Sequence, residues 1–198
     1  MCQGRLGMDR REGSAMRDTD RPQISEQVRQ YVQQLHAVVD QLVDPLHQQH
    51  AERLQCALGC MRCCVDELTV FEVEADRIRD AIQGQELVPA PVGRCVMLDE
   101  AGACRVYAVR PYVCRSQGLP LRWGESTADG PVEHRDICPL NESGSELSSL
   151  PADQCWTLGP IESRLAHAQQ MAQEARGEAG DAPLRRVRLR DLLGSEAV

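Results

Sequence analysis

The feature that most constrains this chain is a run of four thiols within nine residues. Cys56, Cys60, Cys63 and Cys64 are spaced C-x3-C-x2-C-C and are followed by Cys95, Cys104, Cys114 and Cys138. Thiolate sulfur is a soft anionic donor, and close spacing lets one turn of backbone aim several sulfurs at one centre, so the pattern points to zinc or an iron-sulfur cluster. Adjacent Cys63 and Cys64 do not readily reach the same atom. Either the run serves two centres, or one of the pair ligates while the other packs. Inert buried thiols would suit an isolated cysteine better than this density. The N-terminal stretch MCQGRLGMDRREGSAMRDTD contains no apolar run of signal-peptide length, and no segment approaches the roughly 20 apolar residues of a membrane span. The chain therefore reads as cytosolic and not membrane-bound, a setting in which clustered cysteines more often hold metal or do redox chemistry than cross-link a fold.

Composition narrows the field further. Aromatic residues make up 3% of the 198, so Leu, Val, Ile and Ala must fill the core, and such a core gains from extra fastening. All 22 basic residues are arginine, which excludes Schiff-base chemistry on a lysine and a phosphate loop with its usual lysine. A net charge of -8 argues against a nucleic-acid partner, which would need a basic face.

The expected fold is mainly α with a small β-hairpin: an irregular cysteine-rich metal-binding domain packed on long helices. Residues 1–20, Cys2 included, read as a disordered tail. Residues 21–176 read as one domain with its metal-binding core at about 54–138, and 177–198 as a flexible tail. Val28, Val32, Leu35, Val39, Leu42 and Leu46 recur at helical spacing, with Asp20 ahead as N-cap and Pro45 expected to kink or end the helix, leaving 46–54 as a separate turn. A second helix is expected from Thr69 to Gln83, opened by a Thr69–Glu72 capping box and stopped at Gly84, with Glu72, Glu74 and Asp76 on a solvated face. Cys95–Leu98 and Cys104–Val109 read as the hairpin, and Pro111 as the start of a helical turn bearing Cys114.

Gly118 to Pro151 reads as irregular, with one strand near Leu119–Trp123. A last helix at 160–176 carries Ile161, Leu165, Ala168 and Ala172 at the same spacing as the first, so the two should pack together; homodimerisation through the first helix is the alternative. His47, His50 and His134 read as solvated rather than ligating. The arginines at 185, 186, 188 and 190 read as solvated or packed on the chain's own acidic surface.

The segments CALGCMRCC and RCVMLDEAGACRVYAVRPYVCRSQG resemble the YkgJ-type cysteine-cluster family, described as zinc- or iron-chelating. Cys95, Leu98, Gly102, Cys104, Val106, Tyr107, Arg110, Pro111, Cys114 and Arg115 match its second motif, and Glu72 takes the place of its helix acid. Val96 stands where the family usually has proline. The resemblance covers roughly Leu54 to Cys138 and implies Cys56, Cys60, Cys63, Cys64, Cys95, Cys104, Cys114 and Cys138 as metal ligands; it does not carry a role for Cys155. Arg110 and Arg115 would offset thiolate charge or pair with the acidic helix, and Tyr107 would sit in the hairpin core. The leading function is a metal-binding protein whose partner is a metal ion. The alternative is an iron-sulfur enzyme using S-adenosylmethionine, such as a protein lysine methylase-like activity, because Cys56, Cys60 and Cys63 also have the radical-enzyme spacing.

Overall fold

The computed structural model describes residues 24–57 and 59–193. The expectations for the 1–20 tail, Cys2 and the Asp20 cap lie outside the described residues. Among the described residues the fold is mixed α/β, with four α-helices, a two-stranded sheet and a three-stranded sheet, rather than strictly mainly α.

Helix α1 (Glu26–Gln49) is capped by Ser25, whose hydroxyl accepts from the Val28 amide at 3.3 Å. Pro45 lies inside α1 instead of ending it. It faces outward near the C-terminal end, where the carbonyl it frees can be hydrated. The apolar stripe is buried at Val28, Val32, Leu35, Val39 and Leu46. Its fifth position is Val43, whereas Leu42 is 52% exposed. At 3.6 residues per turn, the residue four after Val39 lands on the buried face. This stripe packs on Ile161, Leu165, Ala168 and Ala172 of helix α4 (Pro160–Ala175), so the first and last long helices do share one core. Leu119 and the tilted pair Tyr112 and Trp156, 6.2 Å apart, complete it. Each buried aliphatic side chain contributes about 1.5–3 kcal/mol.

Strand β1 (Thr69–Phe71) precedes helix α2 (Glu72–Ile82). Thr69, expected to cap that helix, is instead in the strand, and the helix starts after Phe71 without a side-chain cap. Alternation along β1 sends Phe71 to the first core and Val70 to a second. The second core gathers Val70, Ala75 and Ile78 around Cys95, Val96, Met97, Leu98 and Val106. It is closed by the segment expected to be a flexible tail: β5 (Arg186–Arg188) pairs antiparallel with β1, and Leu189 is buried beyond it. The arginines of this segment face acidic partners: Arg186 meets Glu162, Arg185 meets Glu178 and Arg190 meets Asp66.

The stretch after Gly118, read as irregular with one strand near Leu119–Trp123, has that strand as β2 (Leu121–Thr127), in a hairpin with β3 (Gly130–Asp136) and with β4 (Trp156–Thr157) parallel to it. Conversely, the expected hairpin over Cys95–Val109 reduces to one antiparallel bridge between Leu98 and Cys104.

The acidic face of α2 is not solvated. Glu74 and Asp76 are buried. Asp76 pairs with Arg29, and Glu72 with Arg176 of the chain's last third. The Glu74 carboxyl accepts from the Tyr112 amide at 2.7 Å, which anchors the short helix α3 (Tyr112–Arg115), and lies 2.9 Å from His36 Nε2. His36 Nδ1 faces the Arg77 guanidinium at 2.6 Å and that of Arg115 at 3.5 Å. Two guanidiniums at Nδ1 require it to accept, so the ring is neutral with its proton on Nε2. Burial pushes His36 below its ordinary value, with Arg115 and Arg77 acting in the same direction and Glu74 against it.

Two outcomes test this fold. Leu165→Ala should cost about 3 kcal/mol in urea unfolding, whereas Leu42→Ala should change stability by less than about 0.5 kcal/mol. Because the folded His36 lies below the ordinary value of 6.5, the unfolded chain takes up the proton first. The stability His36 contributes is therefore full above that value and is lost as pH falls below it. His36→Gln should flatten the decline in stability on acidification that the parent shows.

Candidate metal centre

The first cysteine motif follows α1 as a set of tight turns. The Cys60 amide donates to the Ala57 carbonyl at 2.9 Å and the Cys64 amide to that of Met61 at 3.0 Å. Gly59 turns with φ +86°, in the left-handed region that favours glycine. The second motif joins the first through its backbone: the Cys95 amide donates to the Cys64 carbonyl at 2.9 Å. A turn stapled by Asp99, whose carboxyl accepts from the Ala103 amide at 2.7 Å, then brings Cys104 beside Leu98. Cys114 sits on α3, placed there by the Glu74 bond to Tyr112.

Cys138 enters through Asn141, a residue the cysteine pattern does not flag. Asn141 is fully buried. Its side chain accepts from the Gln55 amide at 2.8 Å and donates to the Gly118 carbonyl at 2.8 Å and to Cys56 Sγ at 3.4 Å, while its own amide donates to the Cys138 carbonyl at 2.7 Å. Gly118 has φ +92°, and a Cβ there would stand 2.7 Å from Cys56 Sγ. The sulfur thus occupies a cradle that any other residue would fill.

All nine described cysteines are free thiols. Among the described residues, no three His, Cys, Asp or Glu side chains stand in metal-bonding geometry. The thiols nonetheless fall into neighbourhoods. Burial pushes Cys56 up, and Cys60, Cys138 and Cys63 add to the shift against the Asn141 hydrogen bond. Burial also pushes Cys114 up to about 12, with Cys95, Cys104 and Cys63 adding to it. Cys63 and Cys64 share a hydrogen bond that lowers the acceptor, Cys63, and raises the donor, Cys64. Cys155 stands apart, near Arg135 at 3.9 Å. An all-sulfur donor set on turns, with one sulfur cradled on a glycine, suits a thiophilic metal.

The other sequence candidates go elsewhere. Arg115 pairs with Asp40 of α1 at 2.6 Å and not with the acidic helix, and Arg110 lies over the Tyr107 ring at 4.0 Å. Tyr107 is 64% exposed, not hairpin core. His50, expected to be solvated, is buried against the Gln154 carbonyl at 2.8 Å, and His134 stacks on Trp123 beside Glu125. Asp66, also absent from the sequence reading, receives Arg190, whose guanidinium further reaches the carbonyls of Ala90, Pro91 and Arg94, and so straps the loop before Cys95.

No helix among the described residues is long and apolar enough to cross a membrane. Comparison with known proteins finds no match among curated proteins and none among solved structures. A family model does match, over residues 55–138, and is described as "CxxCxxCC: Putative zinc- or iron-chelating domain". The matched span begins next to Cys56 and ends on Cys138, the limits of the thiol-bearing turns joined by Asn141. Residues 55–138 are thus similar to the family described as a zinc- or iron-chelating domain, over less than half of the chain.

Proposed function

We propose that this chain is a cytoplasmic metal-binding protein that holds zinc or an iron-sulfur cluster through thiolates of Cys56, Cys60, Cys63, Cys64, Cys95, Cys104, Cys114 and Cys138. The observation that carries the reading is the joining of distant thiol-bearing turns by short backbone and amide bonds, Cys95 to Cys64 and Asn141 to Cys56. Through Asn141 those bonds link segments more than 80 residues apart in sequence, at Cys56 and Cys138. A bound metal would supply a cross-link between the second motif, which is packed in the second core, and the turns from Cys56 to Cys64, which bury little apolar surface of their own. Site formation and folding are then coupled, since the ligands exist as a set only in the folded chain. Thiolate ligands need a reducing compartment, which supports the cytoplasmic placement.

Metal analysis and a visible absorption spectrum after anaerobic purification distinguish the two metals, because an iron-sulfur cluster is coloured and zinc is not. Cys60→Ser should lower metal content and, by losing about 2 kcal/mol of metal-linked stability, lower Tm by about 5 °C. Cys155→Ser should leave metal content unchanged. Unaltered metal in the Cys60 variant would sink the proposal. Gly118→Ala, which pushes a methyl into Cys56 Sγ, should weaken metal retention against a chelator although it removes no ligand.

A further inference from the structure

We propose that a cleft between β1, α3 and α4 binds a protonated primary amine on a short apolar stem, with the buried Glu74 carboxylate as its counter-charge. The cleft has a volume of about 320 Å³ and is walled by Phe71, Val113, Leu158 and Leu165, with Glu74 and Tyr112 among its polar lining. Glu74 and Tyr112 are buried and so form its base, whereas Glu162 and Arg186, both exposed, stand at its mouth. A mostly apolar wall with a few convergent polar groups is the general form of a small-molecule site. None of the lining residues is a cysteine, so the cleft is independent of the metal-binding reading.

The class of ligand follows from the charges. Glu74 is 4% exposed. Its bonds from the Tyr112 amide and from His36 both land on Oε1, and Oε2 carries neither. The guanidiniums of Arg77 and Arg115 face His36 Nδ1 and do not bond to this carboxyl. A carboxylate accepts only, so whatever meets it in the cleft must donate. The Tyr112 hydroxyl lies in the fields of both Glu162 and Glu74, and it accepts from Trp156 Nε1 at 3.1 Å with a lone pair left for a second donor.

Three carboxylates, of Glu67, Glu74 and Glu162, line the cleft against the single guanidinium of Arg186. That guanidinium is already engaged with Glu162 at 3.1 Å and lies 4.5 Å over the Phe71 ring, a cation on an acid and an apolar face, as an amine ligand would be. An anion would meet the Glu74 charge with nothing to offset it. A neutral donor would leave that charge in place. An ammonium both donates and neutralises, and its bond to the carboxylate is of the stronger, charge-assisted kind.

The test is isothermal titration of the full-length chain with n-hexylamine at physiological salt, beside 1-hexanol and hexanoate as the neutral and anionic counterparts of equal length. The amine should bind with a Kd of about 1 mM, as befits so small a ligand. Hexanol should bind at least tenfold more weakly and hexanoate not at all. Glu74→Gln should weaken amine binding about tenfold, the loss of one charge-assisted bond. Because Glu74 also anchors α3, a second measurement uses the unaltered chain: methyl-detected NMR should place the hexyl stem against Val113 and Leu158. No binding of the amine, equal affinity for amine and alcohol, or stem contacts at other methyl groups would each overturn the proposal.

Discussion

A carboxyl group enclosed by helices must find donors there, because an unpaired polar group in that position costs about 1–3 kcal/mol. Glu74 finds them in His36 of α1 and in the backbone amide of Tyr112. The second contact matters most for the thiols: it fixes the first residue of the four-residue helix that carries Cys114, which is too short to hold itself. Arg115 completes the anchor from the other end of that helix by reaching Asp40. The helical half of the molecule therefore serves as a rigid frame from which one sulfur is presented, and the network that does this is polar and directional where apolar packing alone would let the short helix slide.

The remaining sulfurs are presented by turns. The turn from Cys95 to Val106 is packed in the second core, whereas the turns from Cys56 to Cys64 bury little apolar surface, so their positions depend on individual hydrogen bonds, and closing a long loop carries an entropy cost that grows slowly with length. Asn141 spends its side-chain amide on Gln55, Gly118 and Cys56 at once. Such a residue positions Cys56 and the backbone at Cys138 through its own hydrogen bonds, in the way that neighbours of metal ligands commonly orient them.

Much of the helical frame was legible from spacing alone. Val28 to Leu46 and Ile161 to Ala172 show the period of buried helical faces, and these two faces do meet. The single error in the stripe, Leu42 for Val43, arises because both fit a three-four alternation and only the true pitch decides. Partners across the sequence were not legible: that Glu74 and Asp76 are buried depends on His36 and Arg29 from another helix. Of the β2–β3 hairpin only the start of β2, near Leu119–Trp123, was legible; β3 was missed because both faces are largely exposed, leaving no apolar alternation, although Asp129-Gly130 is a strong hairpin-turn signal. The eight thiols were legible as a chemical set because cysteine density is visible in any single sequence, whereas Asn141 and Arg190 act through geometry that no spacing announces.

The strap formed by Arg190 has a consequence for the order of assembly. Synthesis runs from the N-terminus and domains close as their parts emerge. The loop at Ala90, Pro91 and Arg94 is made about a hundred residues before the guanidinium that holds its carbonyls, and β1 waits equally long for β5. While the chain is growing, the thiols beside that loop stand without their cover. The interval between the emergence of Cys95 and that of Arg190 is thus a window in which Cys95 and its neighbours are reachable from solution before the second core is sealed.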